Sequence, residues 1–286
     1  MGPGLFDVED ESGAEAYVKQ LAERFADPAE AAAHLIHHGV AREARLERRV
    51  LLRQHLDVDG AALADVAAQL GSRGWAAVRH IGLPPHVLRG CLDEAAAARS
   101  LMQPGLIGRP DGEAEHSEVK RRDTLVWLSD APVRASLSSW PPKPRMLVEH
   151  CPRLALAQAA LRRLGFALAA RLSARADGHS DSMLACYEGD GAFYTPHVDA
   201  DAHDSRKLTL VLYLNPEWEA EHGGCLQILD PGTFVWQEVP PRMGTLAAFW
   251  SSDILHQVKP CYTRRYALTV WIVHDGLASA DWDICD

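Results

Sequence analysis

The sequence is short of several things, and each shortage removes a class of protein. No stretch approaches the eighteen or so apolar residues of a membrane span, so no membrane partner is expected. The six cysteines (Cys91, Cys151, Cys186, Cys225, Cys261, Cys285) include no Cys-x-x-Cys pair. Neither a disulfide scaffold nor a zinc ribbon fits that spacing, and reduced thiols are expected. Basic residues are outnumbered, 29 Lys and Arg against 39 Asp and Glu, for a net charge of −10. The basic stripe of a nucleic-acid binder is missing, so no nucleic-acid partner is expected. No Gly-x-Ser-x-Gly elbow is present to carry a nucleophilic serine. The first residues, Met1-Gly2-Pro3-Gly4-Leu5-Phe6-Asp7, hold neither a basic nor an apolar stretch. They predict no secretory signal, and a cytoplasmic or nuclear location follows as the expectation.

What is present suits a folded chain. With 47% hydrophobic residues in 286, there is material for one large core plus a modest extension. Residues 1–14 are Gly-rich and acidic and are expected to be disordered. Residues 15–70 read as a helical N-terminal extension, with Asp27-Pro28-Ala29-Glu30 as a helix start and Gly71 and Gly74 as its stop. A strand is expected at Trp75–Ile81, a helix at Pro84–Leu101, a mobile polar loop at 103–122 and a short strand at Leu125–Leu128. A long amphipathic helix is expected from Arg145 to Ala174. After Gly178 the texture changes to short β-rich segments bounded by Gly, Pro, Asp or Asn. These are Met183–Tyr187, Phe193–Asp199, Lys207–Asn215, Cys225–Leu229, Phe234–Glu238, Thr245–Trp250, Gln257–Lys259 and Arg265–His274. Eight close-spaced short strands predict a sandwich or jelly roll.

The candidate chemistry centres on His197-Val198-Asp199 and a later histidine. The bare pattern carries little: fourteen histidines among 39 acidic residues in 286 give about two His-x-Asp/Glu matches by chance, and four occur. Context discriminates between them. His55-Leu56-Asp57 lies in a helical stretch, where residues two apart face different ways. His116-Ser117-Glu118 sits in a polar loop, and His179-Ser180-Asp181 in a turn. Only His197 and Asp199 lie at a strand end, where residues two apart project to one side. His256, beyond the strand Thr245–Trp250, can return over the same sheet. Two histidines and one carboxylate with three open positions suit a non-haem Fe(II) oxygenase. A surface His-x-Asp with an unrelated His256 is the alternative on these spacings.

Arg265 opens a strand whose alternation puts Arg265, Ala267, Thr269 and Trp271 on one face. If that face points inward, a guanidinium enters an apolar cavity and needs an anionic partner. Its fork suits a carboxylate, and Tyr213, which shares a face with Thr209 and Val211, offers a phenol to the same anion. A metal with open positions beside such a pair describes a pocket for a 2-oxo dicarboxylate. A surface ion pair is the alternative fate of Arg265, and Trp271 can equally floor the pocket or fill the core.

Cys186-Tyr187-Glu188-Gly189-Asp190-Gly191, Tyr194 three residues before His197, Tyr213-Leu214-Asn215, Gly223-Gly224-Cys225-Leu226, Phe249-Trp250-Ser251 and Arg265-Tyr266-Ala267-Leu268-Thr269-Val270-Trp271 form an ordered set. Together with Arg121-Arg122-Asp123-Thr124-Leu125-Val126-Trp127, this set resembles the 2-oxoglutarate/Fe(II)-dependent prolyl 4-hydroxylases, and most of all their oxygen-sensing (hypoxia-inducible-factor) branch. The likeness runs from about Gly74 to His274. It implies an α+β fold: a double-stranded β-helix (jelly-roll) core at about 182–275, flanked by helices, within a dioxygenase domain of residues 71–286. It further implies that His197, Asp199 and His256 bind Fe(II). Arg265 and Tyr213 would hold the distal carboxylate of 2-oxoglutarate, with Tyr187 and Thr269 lining its site.

By the same resemblance Arg206 and Asp123 match positions tied to peptide-substrate engagement and a salt link near the mouth of the site, with Tyr194 and Trp271 also toward the substrate. O2 is the implied co-substrate, L-ascorbate an accessory, and a proline-containing protein or peptide the partner. The implied activity is peptidyl-proline 4-hydroxylation with release of succinate and CO2, and a role in oxygen sensing is within its scope. The chain departs from the animal oxygen sensors by one residue fewer between Trp250 and His256, by the detail of the 103–122 loop, and by having no Cys/His zinc-finger module at its amino end. These departures touch the choice of protein target rather than the chemistry. Two readings from other classes remain open at this level: a cupin-type Zn or Mn metalloenzyme using the same three ligands, and a non-catalytic jelly-roll binding module.

Overall fold

The computed structural model describes residues 61–108, 114–129, 145–147, 150–201 and 204–274. The expected tail 1–14 and the helices expected within 15–60 lie outside the described residues. The last turns of that extension are seen as helix α1 (Ala61–Arg73), which buries Leu63, Val66, Ala67 and Leu70. Those residues recur at three- and four-residue intervals and so share one face of a helix. Gly74 ends α1 with φ +81°, a conformation glycine adopts without steric cost. A Cβ there would also meet Ile254 Cδ1 at 2.9 Å.

Strand β1 (Trp75–Val78) and helix α2 (Pro85–Ala97) follow, the latter extended by a short 3₁₀ turn (Ala98–Leu101). The expected polar loop at 103–122 instead contains three short strands: β2 (Gln103–Pro104), β3 (Leu106–Gly108) and β4 (Ala114–His116). β3 and β4 pair as an antiparallel hairpin. Next come β5 (Thr124–Ser129), β6 (Arg145–Leu147) and helix α3 (Pro152–Arg171).

The long helix expected from Arg145 therefore begins seven residues later, and Arg145–Leu147 instead pairs parallel with β5. Pro152 is the reason. It is tolerated at a helix's first position, where its missing N–H costs nothing, but not in an interior. The capping group comes from another helix: both oxygens of Glu94 on α2 accept from the Arg153 and Leu154 amides, at 2.9 and 2.8 Å. A carboxylate on exposed amides at the positive end of α3 satisfies donors that the helix cannot.

The remaining strands are β7 (Gly178–His179), β8 (Ser182–Tyr187), β9 (Ala192–His197), β10 (Arg206–Tyr213), β11 (Leu226–Leu229), β12 (Trp236–Val239), β13 (Leu246–Trp250), β14 (His256–Cys261) and β15 (Arg265–Val273). All eight strands expected after Gly178 are there, with no end shifted by more than two residues. They divide into two sheets. The larger runs β1-β13-β10-β15-β8-β5-β2 and the smaller β12-β11-β14-β9. Every residue of β13 and β15 is buried, as befits strands covered on both faces. The smaller sheet covers one face at the functional site. Helix α3 covers another part, with Gly165 against Ile272 of β15 and Leu210 of β10.

That glycine sets up a contest of magnitudes. In a helix interior Gly→Ala usually stabilises by about 0.5–1 kcal/mol. Here an added Cβ would lie 2.4 Å from Ile272 Cγ1 and 3.0 Å from Leu210 Cδ1, inside the buried core. Overpacking of that kind costs about 1–3 kcal/mol. Gly165→Ala is expected to lower stability, with a reduced urea midpoint and an unchanged m-value; a raised midpoint would show that α3 does not sit this close to the sheet.

Candidate active site

The two histidines are brought together by strand pairing. β14 lies antiparallel to β9 with His256 directly opposite His197. Their rings stand 4.2 Å apart, centroid to centroid. Asp199 lies two residues past the end of β9, on a turn held by the amides of Asp199 and Ala200, which donate to the Ser251 carbonyl at 2.9 and 3.1 Å. Its Oδ1 comes to 3.7 Å from His197 Nε2 and 3.6 Å from His256 Nε2. The three donor atoms lie within 4.8 Å of one another and could hold a metal ion. The expected convergence is thus a property of the folded chain.

Hydrogen bonds fix which nitrogen of each ring is free. His197 Nδ1 meets the Thr195 carbonyl at 2.8 Å, and His256 Nδ1 the Ile254 carbonyl at 2.9 Å. A carbonyl only accepts, so both Nδ1 atoms carry the proton and both Nε2 lone pairs point at the shared centre. Burial, reinforced by His256 beside it, pushes His197 down to about 3. Burial alone would raise the Asp199 carboxyl. The histidines and Arg206 nearby outweigh it and hold Asp199 well below the usual carboxylate range. At neutral pH the centre therefore offers a neutral imidazole at His197 and a charged carboxylate, both ready to ligate.

Asp199's second oxygen is occupied. Thr209 Oγ1 donates to Oδ2 at 2.8 Å and Trp271 Nε1 at 3.0 Å. Thr209 and Trp271 are cross-strand partners of β10 and β15, so the clamp follows from register. The indole of Trp271 is buried and its N–H is aimed at the site, which reconciles the pocket-floor and core-packing readings. Tyr194 stacks on the other side of His197, centroids 3.6 Å apart and planes 18° from parallel. Arg121 lies 4.4 Å over the Tyr194 ring.

Deeper between the sheets, Arg265 is 3% exposed and Tyr213 fully buried. The Arg265 guanidinium stands 4.7 Å from the Tyr187 ring centroid and 4.9 Å from that of Tyr213. No carboxylate among the described residues pairs with it. Arg265 Nε and Tyr213 Oη are both sealed from solvent and make no hydrogen bond. Burial pushes the Tyr213 phenol up to about 12, partly offset by Arg265, so it stays a donor at neutral pH. A buried cation and a buried phenol, both unpaired and adjacent, describe a seat for a carboxylate. Thr269 is buried on the same strand as Arg265 and Trp271, in register with Met183 and Val211.

Asp123 and Arg206, both expected toward a substrate, are each in an ion pair with a near neighbour in sequence. Asp123 pairs bidentately with Arg121, at 2.7 and 2.6 Å. Arg206 pairs with Asp204: Nε donates to both carboxylate oxygens at 2.9 Å, and Nη2 also meets Oδ2. Asp123 is thus in a buried salt link with Arg121, and Arg206 takes its partner from two residues before it. Arg206 still flanks the site, its guanidinium 5.3 Å from the Trp271 ring. Thr209 and Ser251 were not among the expected site residues. The alternation of β10 already put Thr209 on the face of Tyr213, and Ser251 closes the Phe249-Trp250-Ser251 run without a role of its own having been read from it.

Residues 182–273 match the model of the 2OG-Fe(II) oxygenase superfamily. That stretch is similar to a 2OG-Fe(II) oxygenase domain. Its matched range contains both imidazoles, the carboxylate, Arg265 and Tyr213. Prolyl hydroxylase EGLN3 of Homo sapiens is 44% identical over 94 residues, 32% of this chain and 39% of that protein. Egl nine homolog 1 of Rattus norvegicus is 40% identical over 99 residues, 34% of this chain and 29% of that protein. The matched segments thus span well under half the length of these relatives. A crystal structure of a Pseudomonas putida prolyl-4-hydroxylase superposes with a TM-score of 0.59 at 26% identity, covering 75% of this chain and 100% of that one. A prolyl hydroxylase in complex with a hypoxia-inducible-factor peptide fragment, from Trichoplax adhaerens, superposes at 0.62 with 24% identity, covering 74% and 89%, a likeness of fold.

The oxygenase domain's donor set gives a direct test by metal titration. Asp199→Ala removes the carboxylate between the two imidazoles. Co(II) affinity, followed by calorimetry, is expected to fall by more than the roughly 10–100-fold typical of losing an outer hydrogen-bond partner. An unchanged affinity would place the metal elsewhere.

Proposed function

We infer that the chain is an Fe(II)- and 2-oxoglutarate-dependent dioxygenase that hydroxylates a proline of a protein or peptide substrate, with 2-oxoglutarate converted to succinate and CO2. One observation carries the co-substrate: the unpaired, buried Arg265 and Tyr213 lie between the same sheets as the two-histidine, one-carboxylate centre. That donor set suits ferrous iron, and a cation–phenol pair suits the far carboxylate of a five-carbon 2-oxo diacid. A cupin-type Zn or Mn metalloenzyme gives the pair no task.

His197, Asp199 and His256 would hold the iron. Arg265 and Tyr213 would hold the distal carboxylate, with the Tyr187 ring and Thr269 as walls. The iron and co-substrate together supply the O2 activation and oxygen transfer, one oxygen atom entering the proline C–H bond and the other the succinate. The chain's own contribution is placement and exclusion of water. Trp271 and Thr209 keep Asp199 turned, Tyr194 packs His197 in place, and the buried walls dry the pocket. Arg206 and Asp123, with Tyr194 and Trp271, mark the side toward the substrate. Hydroxylation of a proline is supported by the relatives' names and by the resemblance, while ascorbate as the accessory reductant is supported by the resemblance alone.

Two measurements test this reading. Under anaerobic conditions a weak visible charge-transfer band is expected only when Fe(II) and 2-oxoglutarate are both present. Arg265→Ala should weaken 2-oxoglutarate binding about tenfold or more, since a charged hydrogen bond is worth about 1.5–3 kcal/mol. Mass spectrometry of extract proteins treated with active enzyme should show a gain of one oxygen on proline, absent with His256→Ala. Normal co-substrate turnover by both variants would overturn the assignment.

A further inference from the structure

Asp199 has one oxygen facing the imidazoles and one turned away, and a buried chain of hydroxyls holds it so. Thr209 Oγ1 lies 2.8 Å from Asp199 Oδ2 and 2.8 Å from Ser251 Oγ. Thr209 and Ser251 are both completely buried. Proton counting settles the direction. A carboxylate only accepts, so the single Thr209 proton goes to Asp199, and the contact with Ser251 must be donated by Ser251. The polarity is therefore Ser251 to Thr209 to Asp199, in which each bond strengthens the next.

Ser251 also acts through its backbone. Its carbonyl receives the amides of Asp199 and Ala200, and its own amide donates to the Lys207 carbonyl at 2.9 Å. One residue thus joins the turn bearing Asp199, the start of β10 and the segment leading to His256. We propose that Ser251 is a positioning residue of the metal centre. Its hydroxyl, acting through Thr209, keeps Asp199 Oδ2 engaged so that Oδ1 alone faces the ion. Were Oδ2 released, the carboxylate could turn and offer both oxygens, closing a position that O2 or the co-substrate needs. This rests on the reading of His197, Asp199 and His256 as the metal ligands.

A double-mutant cycle read by Co(II) binding, without turnover, tests it. Ser251→Ala should weaken Co(II) about 3- to 10-fold, the worth of one buried neutral hydrogen bond, and should alter the visible d–d spectrum of the bound ion. Thr209→Val should weaken it about 10–100-fold, and Thr209→Ser should restore it. Adding Ser251→Ala in the Thr209→Val background should cost nothing more, because the relay is already cut. An equal further loss in that background, or wild-type affinity and spectrum for Ser251→Ala alone, overturns the assignment of Ser251 while leaving the ligands standing. Failure of the wild-type chain to bind Co(II) overturns both.

Discussion

One rung of antiparallel pairing carries the site. His197 and His256 are 59 residues apart in sequence and meet because β9 and β14 place them opposite each other. Directly opposed residues on an antiparallel pair are about 4.5–5.5 Å apart at Cβ, the separation at which two imidazoles can reach one ion without distorting the backbone. A slip of one residue would turn one ring to the other face of the sheet, so the register is under strong constraint from burial. β14 buries His256, Val258 and Cys261, and the ring of Phe249 in the opposing sheet lies 4.5 Å from that of His256, tilted by 50°. The hydrophobic pattern that fixes the core therefore fixes the ligand geometry as well.

The second half of the site is an electrostatic debt. A guanidinium at 3% exposure with no carboxylate beside it would be expelled from most cores. The Tyr187 and Tyr213 rings repay part through their negative faces, an interaction worth about 2 kcal/mol when dry. That is less than the several kcal/mol an isolated buried ion forfeits. The shortfall is a standing preference for an anion of the right size, and it gives the cavity selectivity before any substrate arrives. Several other guanidiniums find carboxylates within the chain: Arg121, Arg122 and Arg206 each have a carboxylate partner, and Arg99 and Arg264 share Glu188. Arg265 stands apart from these arginines in having no carboxylate partner among the described residues, as a seat for an outside anion would require.

Much of this was readable from the sequence for physical reasons that can be named. Asp199 and His197 stood out because strand ends, unlike helices or turns, put residues two apart on one side. Arg265 and Tyr213 stood out because alternation carried them to an interior where a charge needs a reason. The reading failed where local pattern and tertiary context disagree. Arg145–Leu147 is a three-residue strand whose only support is its parallel pairing with β5, and so short a run carries no periodicity of its own. The pairing of Arg206 with Asp204 was missed because a partner two residues away carries no motif. Ser251 was seen as the end of the Phe249-Trp250-Ser251 run, but its role was not, because that role lies in where its carbonyl and hydroxyl end up in the fold.

The two oxygens of Asp199 show how the sheets divide the work. The smaller sheet and its turn supply the three ligand atoms, while the larger sheet supplies the Thr209 and Trp271 donors that hold the carboxylate from behind. A carboxylate bound by both oxygens would fill four positions of an octahedral ion with the two imidazoles, leaving two. Held by one oxygen it fills three in total and leaves three, enough for a chelating 2-oxo acid and O2 together. The count of open positions on a bound ion would thus be set by the hydrogen bonds on Asp199 Oδ2. Those bonds exist because β10 and β15 are neighbours in the sheet with Thr209 opposite Trp271, so the topology of the larger sheet enters the chemistry through a single rotamer.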